Sequence, residues 1–413
     1  MSLYGTGLYG AGLYGTDATV PTIKVEIDVT NKPTSATRAW TDVTIYGGVN
    51  RVRSASWTRA GRTRETEQTQ PGSLQSLVLD NRDGSFDRSN ASGPFYGGLD
   101  WRFWIRISVV FAGVTYPCWT GIKTRVPGHR PPGGDRYVEI TGSDAMTVLE
   151  LFPLSGETFA AQSTDARAAA VFALAKVQVG TVEASGRTGF LLDTVTFAAT
   201  DTTGAGAHLS QVETDERGLL YADAAGAMQL QSAIYRTDKL VAGPTATIGE
   251  AAGDIRYLEA DTVDEAEYVF TDVAVTPATG AIQIALDSTA EAASFKQRLD
   301  IASLSSQTDF ALANAEWYVN RFSGPLPYLP QIEILGARDP ATWPTILAAD
   351  NSDVFLWEGG SNAEFVYLER VSESWLPGQP LKVFWDMSPA GRDSLWTLDG
   401  SDASTLGGTN VVG

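Results

Sequence analysis

From Pro21 onwards, apolar and polar side chains alternate with a period of two, which is the pattern of a strand with one buried face. In the first such stretch the apolar positions are Ile23, Val25, Ile27 and Val29. The same pattern, interrupted by Gly- and Pro-rich turns, predicts further strands near residues 43–46, 52–59, 73–79, 104–111, 116–124 and 137–141. Short strands at this spacing predict a barrel or a sandwich for residues 21–143.

The alternation stops at Asp144, and helical signals replace it. Residues 163–178 are rich in Ala and begin with a potential cap, Ser163 or Thr164, which predicts a helix. A second helix is expected at residues 208–216, and residues 218–231 have the pattern of a hairpin. Residues 144–250 therefore read as an α+β domain.

Strand patterns return after residue 250, with one helix predicted at residues 306–322. Further strands are expected near residues 269–276, 281–287, 331–335, 354–358, 365–375, 381–387 and 395–398. The predicted class is mainly β with α+β insertions: two β-barrel-like domains, residues 21–143 and 251–413, separated by the α+β domain.

Residues 1–20 contain a different pattern, in which Leu-Tyr-Gly recurs every five residues and places Tyr4, Tyr9 and Tyr14 at a fixed spacing. A Gly-rich run buries too little surface to fold alone. It is either a flexible terminus or a docking arm that becomes ordered on a partner, and the regularly spaced rings favour the arm.

Composition excludes several classes of protein. The formal net charge of −19 argues against a general nucleic-acid binder, which would concentrate Lys and Arg. One cysteine and two histidines leave no disulfide framework, thiolate cluster or all-histidine metal site within the chain. We expect no secretory signal, no membrane span, and neither a metal nor a cofactor.

Five arginines between residues 51 and 64 form a basic cluster in this acidic chain: Arg51, Arg53, Arg59, Arg62 and Arg64. One interpretation is a solvated strand face whose cations pair with nearby acids. The other is an interface with an acidic neighbour, formed by Arg59, Arg62 and Arg64, because Arg favours bidentate carboxylate contacts.

Residues 77–101 combine a strand end, two turn clusters and large aromatic side chains. The stretch from Asp80 to Gly84 is similar to a calcium loop, but the spacing fails, because Leu79 occupies the first ligand position. A structural corner is the favoured interpretation. Phe95, Tyr96 and Trp101 are expected to pack on a neighbouring subunit or on the chain's own core.

Candidate catalytic residues are few. Cys118, between Pro117 and Trp119, is expected to be a packed apolar side chain. His129 and His208 lie outside any known catalytic motif. A pair of carboxylates of the kind that glycosidases use stays open, since 49 acidic residues always permit some pair. Aromatic side chains could stack on sugars, although strand cores also explain them. We expect no enzymatic activity.

Several motifs, taken in order, resemble the minor tail proteins that form the tail-tip or baseplate hub of long-tailed phages, of the type found in actinobacteriophages. The resemblance rests on TRAGRTRE at residues 58–65, PGSLQSLVLDNRDGSFDRSNASGPFYGGL at 71–99, the helix start at Asp144, DERGLLYADAAGAMQL at 215–230, IGEAAGDIRYLE at 248–259, Ala315-Glu316-Trp317 before Arg321-Phe322, and LWTLDG at 395–400.

The resemblance implies a structural virion protein at the distal end of a siphovirus tail, without catalytic residues. Three copies would form a homotrimeric ring of pseudo-sixfold symmetry beneath the tail tube and close its end. The implied partners are the distal tail protein, other tail-tip proteins and the tape measure protein. DNA would pass without specific binding, and contact with the host surface would be indirect. A receptor- or carbohydrate-binding adhesin is the alternative, followed by a cell-wall hydrolase.

Overall fold

A computed structural model describes residues 20–390 except 32, 34, 36, 101, 130–133, 184–189, 259, 261–262, 265–267, 325–326, 330 and 360–362. The predicted docking arm with Tyr4, Tyr9 and Tyr14, the aromatic residue Trp101 and the strand predicted at residues 395–398 lie outside these residues.

Residues 22–143 form strands, as the period-two patterns predict. These strands are β1 (Thr22–Asp28), β2 (Thr41–Asp42), β3 (Ile45–Tyr46), β4 (Val49–Asn50), β5 (Val52–Thr58), β6 (Ser73–Asp80), β7 (Trp104–Phe111), β8 (Val114–Arg125), β9 (Gly128–His129) and β10 (Tyr137–Ser143). Strand β1 buries Ile23, Val25 and Ile27, but Glu26 and Asp28 on its other face are buried too. It is therefore covered on both faces at its C-terminal end, where the sequence predicts one solvated face.

Residues 146–248 alternate between helices and short strands. The elements are α1 (Met146–Leu151), β11 (Thr158–Phe159), α2 (Thr164–Ala175), β12 (Val179–Val182), β13 (Val195–Thr196), α3 (Ala205–Glu216), β14 (Leu219–Ala222), β15 (Met228–Gln231), α4 (Ala233–Ala242) and β16 (Ala246–Ile248). Helices α2 and α3 both end at a residue in the left-handed conformation, Lys176 and Arg217. The apolar faces of the helices and of β14 and β15 share one core cluster.

The last part returns to strands with three further helices. Its elements are β17 (Val263–Asp264), β18 (Asp272–Thr276), β19 (Gln283–Leu286), α5 (Ser288–Ala293), β20 (Arg298–Ala302), α6 (Thr308–Phe322), β21 (Pro327–Tyr328), β22 (Ile332–Ile334), α7 (Trp343–Ala348), β23 (Val354–Trp357), β24 (Glu364–Trp375) and β25 (Lys382–Pro389). Helix α6 packs on the small sheet β19-β18-β20 through Ala311, Ala315 and Tyr318.

One sheet of thirteen described strands joins the two ends of the chain. Its main path is β16-β23-β24-β5-β6-β10-β8-β7-β1-β2, and β25, β22 and β9 pair beside this path. The largest core cluster along it includes Val25 and Trp57 from the first part with Phe355 and Trp385 from the last. The predicted mainly β class with helical insertions is confirmed, and the first and last strand groups share one sheet and one core.

No helix in the described part of the chain is long and apolar enough to cross a membrane.

Candidate assembly site and buried charge network

Strands β5 and β24 join the two halves of the main sheet. They pair antiparallel, with Thr58 opposite Ser372 and Ala55 opposite Trp375. The hydroxyls of Thr58 and Ser372 lie 3.0 Å apart, which adds a side-chain contact to the backbone ladder. After β5 the chain comes so close to β24 that a Cβ on Gly61 would lie 2.3 Å from the Glu369 carbonyl oxygen. We call this region the sheet junction.

Buried charges at the sheet junction join segments that are far apart in sequence. Glu369 of β24 is fully buried and accepts from Arg62 Nε at 2.9 Å and from Arg236 Nη2 at 2.5 Å. The Ser388 hydroxyl donates to the same carboxylate. Burial alone would raise the pKa of Glu369, but Arg236 and Arg62 outweigh it and lower the pKa to about 2. One carboxylate thus joins β24 to the α4 segment and to the chain after β5.

A second carboxylate of β24 repeats this arrangement. Glu373 is 3% exposed; its Oε2 accepts from Trp57 Nε1 at 2.7 Å and lies 3.3 Å from Arg59 Nη2. Arg59 Nη1 also donates to the Ala349 carbonyl at 2.8 Å. Burial would lower the pKa of Arg59, but Glu373 outweighs it and raises the pKa. Together these pairs form the buried charge network of Arg59, Arg62, Arg236, Glu369 and Glu373.

Helix α6 is attached to the same region through Arg321. Its Nη2 donates to Glu65 Oε2 at 2.8 Å and to the Pro389 carbonyl at 2.6 Å. Burial would raise the pKa of Glu65, but the nearby arginines, Arg321 most of all, outweigh burial and lower the pKa.

The five clustered arginines form neither a fully solvated strand face nor a free basic surface. Arg59 and Arg62 are 4% and 5% exposed and are paired inside the chain, while Arg51 contacts Asp83 at 2.6 Å. Arg64 is partly exposed, and its Nη1 donates to the Tyr268 hydroxyl at 2.7 Å. A subunit contact by Arg59, Arg62 and Arg64 stays a prediction, but the first two already have internal partners.

Residues 77–100 form the predicted corner. Asn81 Oδ1 accepts from the Phe86 backbone N–H at 2.8 Å, and Gly84 has a φ of +75°. Phe95 is buried and stacks on Phe86 with ring centroids 5.0 Å apart, so its ring belongs to the chain's own core. Tyr96 is 56% exposed, and a role for it in a subunit contact stays a prediction.

Of the residues with catalytic potential, Cys118 and His208 are buried and His129 is partly exposed. Cys118 is fully buried, which raises the pKa of its thiol well above the ordinary value. Burial lowers the pKa of His208 to about 4, helped by Arg167 at 3.2 Å. His129 lies 3.6 Å from Glu139. Within the described ranges no group of three His, Cys, Asp or Glu residues could hold a metal ion.

Glu369, Glu373 and Arg236 are not among the residues that the sequence motifs single out. A signal for the two glutamates was present, because buried residues alternate along β24 from position 369 to 375. Glu369 and Glu373 occupy the same phase as Val371 and Trp375, which indicates inward-facing carboxylates. Nothing local identifies their partners, since Arg59 and Glu373 are 314 positions apart.

The fold is similar to that of phage tail proteins. The 43 kDa tail protein of prophage MuSo2 from Shewanella oneidensis superimposes with a TM-score of 0.56 at 13% identity, over 90% of this chain and 99% of that one. The tail protein from Neisseria meningitidis MC58 gives a TM-score of 0.58 at 12% identity, over 90% and 96% of the two chains. No family model matches the sequence, and comparison with curated proteins gives no match. The chain therefore shares its fold with these tail proteins across nearly their whole length.

Proposed function

We propose that the chain is a structural subunit of a phage tail tip, in the position of a baseplate hub. The observation that carries this proposal is the shared fold with two tail proteins, which extends over 90% of this chain and at least 96% of each of theirs. A likeness over the whole chain supports the same kind of assembly better than a shared single domain would.

The sheet junction suggests how such a subunit adapts symmetry. Strands β5 and β24 join two groups of strands within one sheet. In the proposed subunit, each group is one barrel-like half. Three copies would place six halves around an axis and so match a sixfold tail tube. The buried charge network holds the two halves in a fixed relation, as a ring subunit requires.

The net charge of −19 fits passage of DNA through the ring without binding. Carboxylates along the bore would repel the phosphate backbone, so the genome would not adhere during ejection. A neutral or basic bore in the assembled ring would contradict this part of the proposal.

The proposed role is non-enzymatic, and its partners are the distal tail protein, other tail-tip proteins and the tape measure protein. The predicted docking arm at residues 1–20 would hold one of them through Tyr4, Tyr9 and Tyr14. Particles that assemble normally after deletion of residues 1–17 would contradict the role of the arm.

Ring formation by the purified chain tests the proposal directly. Sedimentation at increasing concentration should show a species near three times the 44.1 kDa monomer, and negative-stain images should show closed rings. A chain that stays monomeric alone and in mixtures with a distal tail protein would contradict the hub role.

A further inference from the structure

A cleft of about 380 Å³ opens between the main sheet and the α+β unit. On the side of the sheet, the cleft is lined by Lys24 and Glu26 of β1 and by Trp104 and Arg106 of β7. Arg38 and Trp40, from the loop between β1 and β2, line the same side. The opposite wall includes Gln178 and the turn Ala225-Gly226 between β14 and β15. We call it the tryptophan cleft, and its size lies within the range of roughly 300–1,000 Å³ that is usual for ligand sites.

The tryptophan cleft has more cations than anions. Glu26 is the one carboxylate in its lining, and it is shared by Lys24 Nζ at 2.9 Å and Arg106 Nη2 at 2.7 Å. Arg38 donates to backbone carbonyls, among them Pro33 at 3.3 Å, and no ion pair of Arg38 occurs within the described part of the chain. Three cations therefore face one carboxylate in the lining, in a protein whose net charge is −19. The buried Asp28 carboxylate, outside the lining, offsets part of the charge of Arg38.

The cations are held in place by the indole rings. The Arg38 guanidinium carbon lies 4.6 Å from the centre of the Trp104 ring, and that of Arg106 lies 4.5 Å from the Trp40 ring. Trp104 is 5% exposed and donates from Nε1 to the Pro33 carbonyl at 2.9 Å. An anion that enters therefore meets positioned charges beside apolar surface, where ion pairing is stronger than in open solvent.

We propose that the tryptophan cleft binds an acidic segment of a neighbouring protein. The carboxylates of that segment would face the positive charges of Arg38 and Lys24. A short acidic peptide suits the volume and carries few charges. A nucleic acid is disfavoured, because its dense phosphate charge is repelled by the acidic chain as a whole. The inference concerns the cleft alone and does not depend on the hub role.

Ala225 allows a test that spares the folded core, because its side chain is exposed at the rim of the cleft. Binding of a fluorescein-labelled oligoglutamate peptide is measured by fluorescence anisotropy at low ionic strength. Ala225→Glu should weaken binding roughly fivefold or more, Ala225→Lys should strengthen it, and Ala225→Gln should leave it near the wild-type value. The effect should shrink as salt is added.

Two further variants test whether the peptide binds at the cleft and not elsewhere on the surface. Lys24→Gln should also weaken peptide binding, whereas Arg82→Gln removes an exposed cation at the corner and should not. Equal binding by the Ala225→Glu and Ala225→Lys variants would overturn the proposal. Tighter binding of a single-stranded oligonucleotide of equal charge, with the same dependence on position 225, would overturn the choice of an acidic peptide.

Discussion

Glu369 is a buried carboxylate that stays ionised because two arginines surround it. Its contacts with Arg62 and Arg236 connect three segments that are far apart in sequence. Transferring such charges out of water is unfavourable, so the network is stable only while every member has its partner. The network therefore serves to hold the three segments in fixed positions relative to one another.

Replacement of Glu369 by Gln should lower the free energy of unfolding by about 3–5 kcal/mol, because Arg62 and Arg236 lose their shared counter-charge. Urea unfolding followed by tryptophan fluorescence measures the change. Asp100→Asn is the control, since Asp100 and its partner Arg88 are 43% and 56% exposed and such a pair contributes about 0–1 kcal/mol. Equal effects of the two substitutions would contradict the network's role.

Asp144 is the second residue whose charge depends on its surroundings. Its carboxyl group accepts from the backbone N–H groups of Gly72 at 2.6 Å and Met146 at 2.9 Å, just before α1. Burial raises its pKa to about 7, and these hydrogen bonds offset only part of the effect.

This raised pKa predicts a pH dependence of stability. Between about pH 4 and pH 7 the unfolded chain ionises Asp144 while the folded chain keeps it protonated, so the contribution of Asp144 to the unfolding free energy falls as pH rises. Asp144→Asn removes that contribution. The stability advantage of the wild type over the variant should therefore narrow from pH 5 to pH 8 in urea unfolding, and a constant or widening gap would contradict the assignment.

The structural role of a single residue can be predicted from the sequence where the neighbouring residues in the chain determine it. The corner at residues 80–84 was predicted from its Asp, Asn and Gly content, and Cys118 was correctly expected to be packed. The burial of Arg59 and Arg62 has no local signal, because their glutamate partners lie more than 300 positions away.

At the scale of elements, the period-two patterns locate strands reliably. Strand β7 was predicted with the bounds Trp104–Phe111 that the structure has, and β5 and β6 differ by one residue at their ends. Helices α4, α5 and α7 and strands β12, β16 and β20 were missed. Most of them are short, but α4 had a local signal, because Ser232 caps it by accepting from the Tyr235 backbone N–H. The pairing of β5 with β24 has no local signal at all.

The sheet junction can be tested at Gly61, where the chain approaches β24. Gly61→Ala would place a Cβ 2.3 Å from the Glu369 carbonyl oxygen, so the two segments must separate. We expect a loss of about 1–3 kcal/mol of unfolding free energy, measured by chemical denaturation.

Gly128→Ala is the matched control for this substitution, because a Cβ at Gly128 meets nothing within 4 Å. Its stability should stay close to that of the wild type. If Gly61→Ala is equally harmless, the close approach of the two segments is not what holds the junction together.

At the scale of the whole molecule, strands from both ends of the chain form one sheet over one core. The sequence predicted two separate β regions, since strands without a long helix between them cannot reveal that they pair across more than 300 positions. The same overall fold extends over nearly the whole length of two phage tail proteins.

The copy number and position of the chain in purified phage particles test the hub role most directly. Cryo-electron microscopy of the tail tip, with mass spectrometry to count subunits, provides both quantities. The hub role predicts three copies in a ring around the tail axis at the distal end of the tube. Copies placed at the periphery of the tail, away from the axis, would contradict it and would favour a receptor-binding protein.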